Sequence, residues 1–146
     1  MPRFFNLRQA EQLLPQVESA IREAIALKAE YEREEAEWQT FTQRITLMGG
    51  VQADRADLLE RKNRRQAAAQ RLKDTVDEIH RLGCLVKDLD IGLIDFPTIW
   101  KGEEVYLCWK LGEPGIRYWH SVEAGFRGRK QIDSQFFEGH RGDSTN

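Results

Sequence analysis

The chain has 146 residues and a mass of 17.0 kDa, one domain by length, and 40% hydrophobic against 32% charged residues is a mixture able to fold. Its 22 Lys and Arg against 24 Asp and Glu give a net charge of -2, which argues against a generic polyanion binder. Three His and two Cys leave little for a metal cage and nothing for a disulfide framework, and no apolar run approaches the ~20 residues of a membrane span.

The opening Met1-Pro2-Arg3 has no apolar core behind it, so no secretory signal and a cytoplasmic location are expected. Asn6 and Gln9 form a capping box for a first helix over about 7–14, and Pro15 is expected to end that helix and start another. From there Val17, Ile21, Ala24, Lys28, Tyr31, Glu35, Trp38, Thr42 and Ile45 step by fours and threes, the spacing of a heptad seam. Gly49-Gly50 stops it. A second helix starts near Asp54 and runs to Gly83, with Leu58, Lys62, Arg65, Ala69, Leu72, Val76 and Ile79 as its seam. Two such helices and a short Gly-containing loop make an antiparallel hairpin. Glu30, Glu32, Glu34, Glu35 and Glu37 then face the run from Arg61 to Lys73, fixing register by charge, with position 34 opposite about 68. Trp38, Phe41, Ile45, Leu47, Met48, Val51, Leu58 and Leu59 make an apolar tip. They either close the tip on itself or present a dimer or partner surface, with Trp38, Phe41, Ile45, Met48, Leu58 and Leu59 as the interface candidates.

The remainder reads as a small antiparallel sheet. Cys84 to Lys87 is a short strand, and Leu93 to Trp100 is a second, which Pro97 confines to an edge or an end. Val105 to Leu111 is a third, and after the Gly112-Glu113-Pro114-Gly115 turn Ile116 to Ser121 returns. Residues 122–137 are read as irregular and 138–146 as a flexible tail. The fold class is therefore α+β: a helical hairpin over 1–83, and a small sheet over 84–137 packed on its base.

Formal matches to known chemistry fail. Asp88-x-Asp90-x-Gly92 starts like a calcium loop, but its Gly is one position early and no acid closes it. No phosphate-binding Gly-rich loop, His-Glu-x-x-His or Gly-x-Ser-x-Gly is present. What remains is Asp95, Cys108, Trp109, Glu113, Trp119, His120, Arg127 and Arg129. The segments Gly92-Leu93-Ile94-Asp95-Phe96-Pro97, Leu107-Cys108-Trp109-Lys110-Leu111-Gly112-Glu113, Tyr118-Trp119-His120 and Gly125-Phe126-Arg127-Gly128-Arg129, with the Asn6 to Pro15 opening, resemble a family of short prokaryotic proteins, the domain of unknown function 2203 family. That resemblance is consistent with the fold above and implies no activity.

The site is argued from side-chain chemistry. Asp95, Cys108 and His120 are the metal candidates, since thiolate and imidazole suit zinc or a similar ion. An even hairpin loop, however, puts Cys108 on the face opposite His120, so a pairing of the two requires a bulge or an odd loop. Cys108 then reads as an apolar filler, and His120 as a ring beside Trp109 whose polar tip reaches Asp95. Glu113 can pin Arg127 or Arg129, and the Arg127 to Lys130 run is either a solvated loop or an anion pocket. The leading expectation is a cytoplasmic, non-enzymatic binding or adaptor module that forms a homodimer, or meets an unidentified protein partner, through the hairpin. The alternative is a small-ligand or metal-dependent enzyme with Asp95, Glu113 and His120 in acid–base or ligand roles, and Arg127, Arg129, Trp109 and Trp119 binding its ligand. A third reading, RNA or ribosome binding through Arg61 to Lys73, is disfavoured by the acidic run opposite. No cofactor is predicted, a divalent metal being the one candidate.

Overall fold

The computed structural model describes residues 3–49 and 54–144. Helix α1 spans Leu7–Leu47 and helix α2 spans Arg55–Arg81, packed antiparallel. Strands β1 (Leu85–Asp88), β2 (Leu93–Trp100), β3 (Glu103–Lys110), β4 (Tyr118–Ser121) and β5 (Lys130–Gln131) form one antiparallel sheet in chain order, and a short helix α3 (Ser134–Gly139) follows. The fold is α+β, a two-helix hairpin with a five-stranded sheet. Gly50 and Val51, read as part of the hairpin turn and tip, lie outside the described residues.

Both capping-box bonds at Asn6 and Gln9 form, but Pro15 does not break the helix. The apolar stripe Ala10, Leu14, Val17, Ile21 and Ala24 stays in phase across it and is buried, while Pro15 itself is exposed. Solvent can therefore take the Glu11 carbonyl that Pro15 leaves without a backbone donor, and packing of the stripe outweighs the local penalty. Pro15→Ala is accordingly expected to stabilise the protein by about 1–3 kcal/mol, read as a higher urea midpoint at unchanged slope. An unchanged or lowered midpoint would show that the proline fits its helix without penalty.

The α1 seam is as the periodicity predicts: every position from Lys28 to Ile45 is half-buried. On α2 the seam is shifted by one residue in three places. Lys62 is exposed and Arg61 takes its place over the Phe41 ring at 4.5 Å, Ala68 rather than Ala69 is fully buried, and Thr75 rather than Val76 is buried. The opposed charges meet where expected, with Arg65 Nε 3.3 Å from Glu35 and Arg71 Nη2 2.5 Å from Glu30.

One face of the sheet packs on the helices. Ile94, Phe96, Val105, Leu107, Trp109 and Trp119 join Phe5, Leu14, Val17, Ile21, Ile79 and Phe136 in a single core. A two-residue turn at Lys101-Gly102, both with positive φ (53° and 77°), sets the long β2–β3 ladder from Trp100↔Glu103 to Leu93↔Lys110. Strand β2 is interior, not an edge, yet Pro97 still sits where the rule needs it. Strand β1 pairs only with residues 93–95, and beyond it the Pro97 carbonyl accepts the Phe5 N–H at 2.7 Å, so no strand is asked to bond the missing N–H.

The expected flexible tail is instead docked, through residue 143. Asp133 caps α3 at the Phe136 N–H (2.8 Å), and Phe136 stacks on Trp119 at 4.6 Å. His140 Nε2 accepts the Leu7 N–H at 2.8 Å, Arg141 and Ile99 exchange backbone bonds, and the Asp143 N–H donates to Phe4 O at 2.9 Å. The stretch carries Phe136, whose ring covers the end of the core; polar composition hid that role.

Candidate functional site

Alternation along a strand sends the residues between the core positions to the opposite face, which, among the described residues, none of α1, α2 and α3 covers. On β2, Leu93, Asp95 and Pro97 point there; on β3, Tyr106 and Cys108; on β4, Tyr118 and His120. A sheet face without a helix over it is ordinarily solvated and polar. Here Asp95 is 1%, Cys108 0% and His120 3% exposed.

Three neighbouring strands bring these side chains together. Asp95 pairs directly with Cys108 across β2 and β3, and Tyr106 pairs with His120 across β3 and β4, which leaves His120 diagonal to Cys108. The even-loop expectation is thereby corrected. Seven residues separate Lys110 from Tyr118, an odd connection, so Cys108 shares a face with His120 and not with Trp119. The odd length is held by Glu113: its Oε1 accepts the Lys110 N–H at 2.7 Å and its own N–H donates to Lys110 O at 3.0 Å. Glu11 of α1 takes the Ile116 N–H at 3.0 Å and ties the far end of the loop to the helix.

His120 is held from both sides. Its Nδ1 lies 2.7 Å from the Ser121 carbonyl, which can only accept, so Nδ1 carries a hydrogen. Its Nε2 is 3.0 Å from both Asp95 oxygens, acceptors as well. Nε2 must therefore also present positive character to the carboxylate. Burial alone would lower the imidazole's pKa, but the Asp95 and Ser121 bonds and the Asp95 charge together raise it above its ordinary value and so favour a second proton there. Cys108 has the opposite fate. Burial first, and the Asp95 charge second, push its thiol up to about 12, so no reactive thiolate is poised there. Cys84, the other free cysteine, is buried at the α2–β1 junction on the Ile79 carbonyl and is pushed up by burial to about 11.

The cover over this cluster is thin. Arg129 Nη1 pairs with Glu113 Oε1 at 3.0 Å and reaches Cys108 Sγ at 4.0 Å, while its guanidinium lies over the Tyr118 and Phe126 rings. Lys87 lies over Tyr106, whose hydroxyl donates to Glu104 at 2.9 Å. Of the ligand-binding candidates, the structure brings only Arg129 to the cluster. Arg127 is exposed in the Phe126–Gly128 turn. Trp109 and Trp119 face the helices: Trp109 is the largest fully buried side chain, its Nε1 donating to Glu113 O at 3.1 Å, and Trp119 stacks among Trp100 and Phe136. His120 is thus beside Tyr106, at 5.5 Å between ring centroids, and not beside Trp109. Sequence reasoning missed Tyr106, Tyr118 and Lys87 as cover; the period of two counted from Cys108 and Asp95 is the signal that finds the two tyrosines.

The interface candidates lie at the other end of the molecule. Trp38, Phe41, Ile45 and Leu58 are half-buried between the helices, whereas Met48 and Leu59 are 57% and 58% exposed and Leu47 87%. Among the described residues, no helix is long and apolar enough to cross a membrane.

Comparison with known proteins adds the family and nothing further. No curated protein and no solved structure matches this chain. A family model does match, over residues 3–132, a span that includes helices α1 and α2, all five strands and every residue of the buried cluster; the chain belongs to the family described as "Uncharacterized conserved protein (DUF2203)".

Proposed function

We propose that the chain is a non-enzymatic binding module that forms a homodimer through its helical arm. The observation behind this reading is the arm itself. Among the described residues, α1 buries nothing after Ala24 and α2 adds nothing to the core before Ile79, so roughly 35 Å of hairpin extends past the core. What lies between its helices is modest: Arg61 on Phe41, Arg65 on Trp38 and Glu35. Each such exposed contact contributes about 0.5–1 kcal/mol at most, far less than an aliphatic seam of that length.

Charge sorting supports a second copy as the occupant. On either side of its seam α1 carries acids, Glu32 on one side and Glu34 and Glu37 on the other, and α2 carries bases, Lys62 on one side and Arg64 on the other. A twofold pairing of arms lays the acidic α1 of each copy beside the basic α2 of the other, and brings Leu59 and Met48 under cover. The basic run then has acidic partners within and between chains, which weighs against a nucleic-acid role for it.

Native mass spectrometry and sedimentation equilibrium test the reading. The expected result is a dimer whose dissociation constant rises at least about tenfold in a Met48→Glu, Leu59→Glu variant, a change of about 1.4 kcal/mol. Both positions are exposed, so the monomer fold should survive. A wild-type protein that is monomeric at every concentration overturns the proposal.

A further inference from the structure

We propose that Asp95, Cys108 and His120 form a binding site for a single divalent transition-metal ion of the zinc class. One carboxylate, one thiol and one imidazole each offer a ligand atom, and these atoms all lie within 4.8 Å of one another. Tetrahedral zinc with bonds of about 2.0–2.3 Å spaces its ligand atoms at roughly 3.3–3.8 Å, so small side-chain rotations convert one arrangement into the other. The mixed nitrogen, oxygen and sulfur set favours a borderline-soft ion over magnesium or calcium, which take oxygen ligands.

The hydrogen-bond geometry carries the argument further than proximity does. A histidine whose Nδ1–H is fixed on a backbone carbonyl has its Nε2 lone pair free to bind a metal, and this is how ligating histidines are usually oriented. His120 has that arrangement on Ser121, and its Nε2 points at two carboxylate oxygens. A metal ion between the Nε2 lone pair and the carboxylate satisfies both as ligands.

Charge accounting fits burial as well: a carboxylate, a thiolate and a neutral imidazole around a divalent ion leave the buried site with no net charge, the condition under which burial costs least. Arg129, which reaches Cys108 Sγ, is already paired with Glu113. The three ligands sit on adjacent strands of one sheet, which holds their spacing as loops would not.

Cobalt(II) is the probe, because a thiolate ligand gives it an intense charge-transfer absorption in the near ultraviolet. Full-length protein stripped with chelator is titrated with cobalt(II) and then with zinc(II). Expected are one equivalent of cobalt, the thiolate band, and its displacement by zinc. Cys108→Ser, nearly isosteric, should abolish the band, and His120→Gln should weaken binding about tenfold or more. His140→Gln, which alters a histidine remote from the cluster, should change neither. Absence of stoichiometric binding to folded wild-type protein overturns the site. So does binding without the thiolate band, or a band that persists in Cys108→Ser. None of these readouts depends on the oligomeric state.

Discussion

Trp109→Ala is expected to remove about 3–5 kcal/mol of folding stability, a large share of the 5–15 kcal/mol that a domain of this size possesses. Trp109 is fully buried on the helix-facing side of β3, in the same core as Leu14, Val17 and Ile21. Removing the indole opens a cavity at the sheet–helix contact and also deletes the Nε1–H bond to Glu113 O. The second loss reaches the other face. Glu113 fixes the odd β3–β4 connection, and that connection is what turns Cys108 and His120 to the same side. Trp109→Phe keeps most of the packing and loses only the anchor, so it should recover more than half of the stability. Urea denaturation with far-ultraviolet circular dichroism reads both, and the melting temperature of the Ala variant should fall by roughly 10–15 °C. A loss below 1 kcal/mol for Trp109→Ala would mean that this core is not where the sheet gains its stability.

The helical half was legible because helix signals are local. The capping box at Asn6, the half-buried seam from Lys28 to Ile45 and the pairing of Glu35 with Arg65 all follow from spacings of three and four and a turn near residue 51. Pro15 misled because its penalty is local, whereas the stripe that overrides it gains its energy from the distant strands it packs on. The strands were legible for the same reason as the seam, through alternation and turn residues. Their register was not. A one-residue change in the loop after Lys110 moves Cys108 to the other face, and nothing in Gly112-Glu113-Pro114-Gly115 states that seven residues, held by a Glu113 side chain, will make the connection. The composition of the last residues gave no sign that His140 accepts from Leu7 or that Arg141 pairs with Ile99, because both contacts join opposite ends of the chain. Asp95 with His120 was named as a pair from residue type alone. The third member, Cys108, depended on the parity.

In chelator-treated protein Asp95→Ala should lower stability by about 3–5 kcal/mol at pH 6, the usual consequence of removing one partner of a buried, hydrogen-bonded charge pair. Asp95 is fully buried and both its oxygens face His120 Nε2, so in the variant the buried imidazole keeps its Ser121 bond but must either hold its charge without a partner or give up its second proton. Removing both partners should hurt less than the sum: an Asp95→Ala, His120→Ala double variant is expected to show a coupling of at least about 1 kcal/mol. The pH dependence distinguishes lost charge pairing from a simple cavity. In the wild type His120 has its pKa raised: burial opposes, but the Asp95 bond and charge and the Ser121 carbonyl outweigh it. A raised folded pKa stabilises the protein fully below the unfolded value of about 6.5, and that contribution fades as pH rises through the folded pKa. In Asp95→Ala burial acts without the carboxylate, the folded pKa falls below 6.5, and stability should instead grow with rising pH. The gap between the two proteins is therefore widest in mild acid and narrows towards alkaline pH. A gap that stays constant from pH 5.5 to 9 would assign the whole cost to lost packing, and His120 would then be neutral in the native protein.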